Sequence, residues 1–186
     1  MADETALLNS ASEYAAIARS QHSQLQDLRA EFDHLSASDP DSERIRLVEE
    51  MDRASLVAVV FSAFTVESYI NHYAITRSST NYLKNYLDKL DLVSRWVVFP
   101  KLFDAFEFPT EGQAFQRLRT LVSVRNEIAH SKSSTIDLSK FTPEQAQERI
   151  FGLHKQADTG IECLDLLAKV AVQFDPDAGE FLGLAG

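Results

Sequence analysis

The chain has 186 residues, of which 45% are apolar and 25% charged, a balance that excludes a disordered polymer and fits one globular domain. Its net charge of −10 argues against a broad nucleic-acid-binding surface, because affinity for phosphates comes largely from Lys and Arg displacing counterions. The single Cys163 excludes an internal disulfide and reads as a small buried apolar residue on the last helix, in a reducing compartment.

The start, Met1-Ala2-Asp3-Glu4, is acidic and has no basic region followed by an apolar core, so no signal peptide and a cytoplasmic location are expected. The first helix is predicted from about Thr5 to Leu35, with Tyr14, Ile17, Leu25, Leu28, Phe32 and Leu35 at three- and four-residue spacing. Ser36 to Asp41 is a turn, in which Asp39-Pro40 reads as an N-cap followed by proline at the first helical position. The second helix runs on to about Thr76. Shorter helices follow near Tyr82–Leu90 and Leu92–Phe106, then a loop from Pro109 to Gly112. A helix over roughly Gln113 to His130 precedes a polar loop, Ser131 to Phe141. Thr142-Pro143-Glu144-Gln145 is a capping box that opens a last helix reaching about Phe174. The expected architecture is an all-α antiparallel bundle of four to five main helices. Residues 1–175 form a single domain (a long N-terminal helix within 1–38 and a core bundle over 39–175), and 176–186 are a loosely held tail.

The second helix is nearly uncharged. Between Arg53 and Arg77 the only formal charge is Glu67. Its length would nearly span a bilayer, but Glu67, Asn71 and His72 are expensive in lipid, so a central bundle helix is expected and no membrane partner. In the row 56, 60, 63, 67, 70, 74 (Leu, Val, Ala, Glu, Ile, Ala) Glu67 stands alone among apolar residues.

The helix ending at His130 repeats this pattern with the opposite sign. Its row 118, 122, 125, 129 reads Leu, Val, Arg, Ala, which places the Arg125 guanidinium in an apolar stripe where it needs a partner. Two lone charges in apolar rows of one bundle should meet, so a Glu67–Arg125 contact is expected. The adjacent row 119, 123, 126, 130 reads Arg, Ser, Asn, His, a ribbon of hydrogen-bonding groups beside that edge. From Arg95 to Lys132 six basic residues face four acidic ones, a local balance of +2 in an acidic chain, whose sign suits an anionic ligand. No cluster of His, Cys, Asp and Glu has metal-ligand spacing, so neither metal nor cofactor is expected. His22, His34, His72 and His154 read as surface or satisfied structural histidines, and Trp96 with Val97, Val98, Phe99 and Phe103 as core or dimer interface.

Arg125-Asn126-x-x-x-His130 on a helix end, with Glu67 on an apolar helix, resembles the HEPN domain. Members of that family are all-α proteins with an Arg-x4–6-His motif, often with Asn directly after the Arg. The resemblance implies a dimer that brings two motifs together across a cleft. It also implies metal-independent ribonuclease activity, frequently as the toxin of a toxin–antitoxin pair or in anti-phage defence. By position, Arg125 and His130 are then the catalytic pair, Asn126 their polar companion and Glu67 a helix-borne acidic residue that some members carry; Ser123 and Arg119, from the polar row beside them, are expected in support. The partners implied are RNA, a second copy of the chain and a cognate antitoxin.

The chemistry stands without the family. RNA is cut when its 2′-hydroxyl attacks the adjacent phosphate, which needs proton transfer and charge stabilisation but no metal. Histidine suits the first near neutral pH, and arginine the second. Arg125 and His130 are five apart and diverge on an ideal helix, so either the helix loosens at His130 or the two act from different subunits. Two alternatives stand beside this reading. His130 near a helix C-terminus is also what the helix dipole favours in a purely structural cap. The acidic composition also fits a non-catalytic helical module for protein–protein or nucleotide binding.

Overall fold

The computed structural model describes residues 10–36, 38–130 and 143–183, the side chains of 143–151 excepted. Among them every regular element is helical: α1 (Ala11–Asp33), α2 (Asp41–Arg77), α3 (Thr80–Tyr82) leading into a π-turn (Leu83–Leu87), α4 (Leu92–Asp104), α5 (Gln113–Ala129), α6 (Pro143–Ala171) and α7 (Ala178–Phe181). The fold is an all-α bundle, as the spacing of apolar residues implies. The start near Thr5, the polar loop Ser131 to Phe141 and Thr142 of the capping box lie outside the described residues.

α2 is the central helix. It packs most extensively on α1 and then on α6. Its buried positions include Ala54, Ser55, Ala58, Ser62 and Ala63, and α1 buries Ala11, Ala15 and Ala18. Such small side chains let helix axes approach closely. α2 is also long and apolar enough to cross a membrane, but 56% of its most apolar window is buried inside the bundle. One buried cluster joins α1, α2 and α6 to Trp96 and Phe99 of α4 and Leu118 and Leu121 of α5. Trp96 is fully buried and its indole N–H donates to the Val66 carbonyl at 3.2 Å, which satisfies its one polar atom.

Contacts at opposite ends fix the helix directions. Tyr14 meets Phe61 and Phe64 while Glu31 meets Arg46, so α1 and α2 are antiparallel. Asp52 pairs with His154 and Ser62 abuts Gly160, so α2 and α6 run the same way. The expected antiparallel order therefore holds along the chain from α1 to α2, while the two longest helices pack in parallel.

Two local expectations are corrected. Asp39 does not cap α2, because its carboxylate accepts from the Ser36 N–H (2.6 Å) and hydroxyl (3.0 Å) and closes the preceding turn. The helix starts one residue later, at Asp41, with Pro40 extended before it. The described part of the expected tail, residues 176–183, packs against the bundle. Ala178 and Leu182 are fully buried, Phe181 lies against Tyr69 and His72, and Asp175 accepts from the Tyr69 hydroxyl at 2.9 Å. Arg19 then reaches the Leu182 carbonyl at 3.3 Å. Its apolar residues are too few to show helical periodicity, yet they close the end of the core.

Candidate functional site around Arg125

α5 buries Ala114, Leu118 and Leu121, and its last turns keep only the half-buried Val122, Val124 and Ile128 against the core. Along the row 118, 122, 125, 129 exposure rises from buried Leu118, through half-buried Val122 and Arg125, to exposed Ala129. Arg125 therefore sits where the apolar stripe meets water. Its Nη2 donates to Glu67 Oε2 at 2.8 Å and its Nη1 to Asn126 Oδ1 at 3.1 Å. The expected contact between the two lone charges is present. The side chains are 26% and 36% exposed, so the pair is worth less than a fully buried one.

The guanidinium is thus held from two sides. Two of its five N–H donors are engaged, and Nε is buried with no acceptor among the described residues. The Nε donor is closed to solvent, and the part of the guanidinium that an oxyanion could meet is its remaining Nη hydrogens, on a side chain 26% exposed.

His130 caps α5. Its backbone N–H donates to the Asn126 carbonyl at 2.9 Å, while its φ of −112° and ψ of 13° leave the helical range. The helix ends at this residue, with the His130 N–H still closing its last turn. The imidazole is exposed, with no hydrogen bond or ion pair to Arg125 among the described residues. Arg125, Asn126 and Glu67 are brought together, and His130 is not.

The ribbon 119, 123, 126, 130 is exposed throughout. Ser123 Oγ donates to Glu127 at 3.2 Å. Arg119 and Ser123 border an open groove of about 320 Å³ together with Gln116 and Thr120. Neither touches Arg125, so their place is beside the Arg125 cluster rather than in it. The local positive balance is mostly neutralised. Arg95 pairs with Asp88 (3.2 Å), Lys101 with Glu107 (2.9 Å), Arg117 with Glu162 (2.8 Å) and Arg125 with Glu67. Of that stretch's described cations, Arg119 alone has no carboxylate partner, and Lys132 lies outside the described residues.

A second groove of about 320 Å³, between α1 and α2, opens beside the ion pair and is lined by Tyr14, Phe64, Glu67, Ser68 and Asn71. Asn71 carries no signal in the sequence beyond being a polar residue in an apolar helix. Its Oδ1 accepts from Arg95 Nη1 at 2.8 Å.

Two of the other histidines, His22 and His154, are tied to carboxylates within the bundle. His22 and Arg29 bind Asp158, whose carboxyl is pushed up by burial but held below its usual range overall by those two partners. His154 is 1% exposed and bonded to Asp52 at 3.0 Å, with burial lowering its pKa and Asp52 opposing. Cys163 is fully buried, and burial pushes its thiol well above the ordinary range. Among the described residues no three His, Cys, Asp or Glu side chains converge as a metal site would require. No family model, curated protein or solved structure matches this chain.

Proposed function

We propose that the protein is a metal-independent endoribonuclease of the type its HEPN resemblance implies, working in the cytoplasm as a homodimer and as the toxin of a toxin–antitoxin or anti-phage defence pair. The observation that carries the reading is Arg125. An arginine at the edge of a core is fixed by Glu67 and Asn126, keeps donors unspent, and lies five residues before an exposed histidine at the helix end.

In the proposed reaction the 2′-hydroxyl of the RNA attacks the adjacent phosphorus, and the bond to the 5′-oxygen breaks. The products are a 2′,3′-cyclic phosphate and a 5′-hydroxyl. Neutral His130 takes the 2′ proton, and a protonated His130 delivers one to the leaving oxygen. Arg125 stabilises the extra negative charge on the phosphoryl oxygens, and its fixed geometry means that little reorganisation is needed at the transition state. One chain has a single His130, and it lies apart from Arg125. A second copy across a two-fold axis supplies the other histidine and closes the distance, which is why the reading includes a dimer.

The test is cleavage of a mixed RNA pool by purified protein in EDTA, beside Arg125→Ala and His130→Ala. Cleavage by the wild type and its loss in both variants supports the reading, as does growth arrest on expression. Cleavage that persists in both variants assigns the activity elsewhere. A folded, dimeric wild type that leaves the pool intact favours the second reading, a non-catalytic module for protein or nucleotide binding. The observation favouring that module is the ion pairing of the cations around the motif.

A further inference from the structure

We propose that the groove between α1 and α2 beside Arg125 is a subsite for one unpaired guanine base of RNA. This rests on the reading of the chain as an RNA-cleaving protein and adds the base that its site would select.

The groove has an aromatic wall. Phe64 is 39% exposed, and its ring is held by Tyr14 and Phe61 at centroid distances of 5.8 Å each. These edge and tilted contacts fix the ring while its solvent side stays open. Unpaired bases are bound by stacking on such rings, with their edges read by nearby polar groups. A volume of about 320 Å³ is at the small end for ligand sites and suits one ring system.

The polar wall is one acceptor and one donor, each anchored by an arginine. Glu67 Oε2 is held by Arg125, and Oε1 has no partner among the described residues. Asn71 lies one turn further along the same face of α2. Its partner Arg95 is itself fastened to the Leu90 and Asp88 carbonyls at 2.9 and 2.8 Å. Arginine only donates, so the atom of Asn71 that faces Arg95 must be Oδ1. The amide orientation is therefore determined, and Nδ2 carries two donors away from Arg95.

A carboxylate beside an amide donor matches one base edge better than the others. Guanine offers two adjacent donors, N1–H and the N2 amine, to Glu67, with O6 next to them for Asn71. Adenine has a single amine on that edge and nothing at C2 to donate. Uracil and cytosine would set a ring carbonyl against the carboxylate or leave it half used. Arg125 already neutralises Glu67, so the phosphate attached to the base meets no net repulsion there.

The test uses short 2′-O-methyl oligouridines, which cannot be cut because the nucleophile is blocked, carrying one central guanine, adenine or cytosine. Binding is read by fluorescence anisotropy for the wild type, Asn71→Asp and Phe64→Ala, with circular dichroism to verify folding. One guanine should tighten wild-type binding about tenfold over plain oligouridine, and adenine or cytosine clearly less. Asn71→Asp keeps a partner for Arg95 but replaces the donor with an acceptor, and should erase the guanine advantage. Phe64→Ala should weaken every oligonucleotide about fivefold or more, since stacking is tolerant of sequence. Equal affinity for all four bases, or a guanine preference unchanged in Asn71→Asp, overturns the subsite. So does a Phe64→Ala protein that changes its dimerisation and not its RNA affinity. RNA cleavage in EDTA, run in parallel, separates the two ideas. Cleavage without guanine preference removes the subsite and leaves the nuclease. Guanine preference without cleavage removes the nuclease and leaves the groove as a nucleotide site. Neither binding nor cleavage overturns both.

Discussion

The Glu67–Arg125 pair gives the sharpest quantitative test. Opposite charges about 4 Å apart attract by about 1 kcal/mol in water and about 4 kcal/mol at an effective dielectric of 20. With side chains 26% and 36% exposed, the pair belongs nearer the first limit. Desolvation and the ordering of two long side chains take part of that back, so we expect a net coupling of about 1 kcal/mol. A double-mutant cycle with Glu67→Gln, Arg125→Met and the double variant, followed by urea unfolding, reads it directly. Near 1 M salt, where the screening length is about 3 Å, the coupling should fall to less than half. A coupling below about 0.3 kcal/mol at low salt, inside the scatter of ordinary additivity, refutes the pair as a feature of the folded protein. A coupling of about 3–5 kcal/mol would refute the half-exposed geometry instead, since only a fully buried pair reaches it. The two single variants should also differ. Glu67→Gln keeps an amide oxygen that can still accept from Arg125 Nη2, whereas Arg125→Met leaves the Glu67 carboxylate without its donor, so Arg125→Met should be the more destabilising.

Acid should weaken the fold through buried His154 and half-buried His72. Burial holds His154 and, less completely, His72 below the ordinary histidine value near 6.5, so the unfolded chain binds more protons just below that pH. Stability present above it is then lost as pH falls toward the folded-state values, by at most about 1.4 kcal/mol per unit for each histidine. Thermal melts from about pH 7.5 to 5 should show the decline, and His154→Gln should flatten it; a melting temperature that rises on acidification contradicts the assignment. Deleting residues 176–186 removes buried Ala178 and Leu182 and the Phe181 contact with Tyr69, and should cost about 3–5 kcal/mol in urea unfolding. An unchanged midpoint would mean that this segment is not part of the core in solution. On the proposed function, log affinity for single-stranded RNA against log salt should have a shallow slope, about −0.7 for each of the one or two phosphates that Arg125 and Arg119 can meet per chain. A slope steeper than about −4, measured by anisotropy, would require a basic surface that the described residues do not offer.

Helix positions were legible because burial imposes a 3.6-residue period on long segments, and their ends fall close to Gly112, Ser78 and the cap at Asp91. The Glu67–Arg125 contact was legible for a related reason: a charge isolated in an apolar row has few places to go. The role of Asn71 was not, because a polar residue in an apolar helix does not name its partner, and Arg95 lies 24 residues away on another helix. The same holds for the Tyr69–Asp175 hydrogen bond, 106 residues apart. Asp39 misled because Asp-Pro satisfies two rules at once, an N-cap before a first-turn proline and a turn closed on itself. Competition between two local hydrogen bonds decided it, and the carboxylate went to Ser36.

The acidic composition and the ion-paired cations constrain how any RNA reading can work. A protein with net charge −10 gains little from counterion release, so affinity must come from contacts that do not scale with phosphate count. Stacking on Phe64 and hydrogen bonds from Asn71 and Glu67 are of that kind, and they depend on an unpaired, accessible base. The ion pair links the two needs, because the carboxylate that would read the base is the same group that holds Arg125 for the phosphate. Base selection and phosphate activation would then be coupled through one side chain. A wrong base that disturbs Glu67 would also disturb Arg125, so discrimination would appear in the cleavage step as well as in binding. An enzyme arranged this way would sacrifice general affinity for RNA and cut few sites, which is what a chain this acidic can sustain.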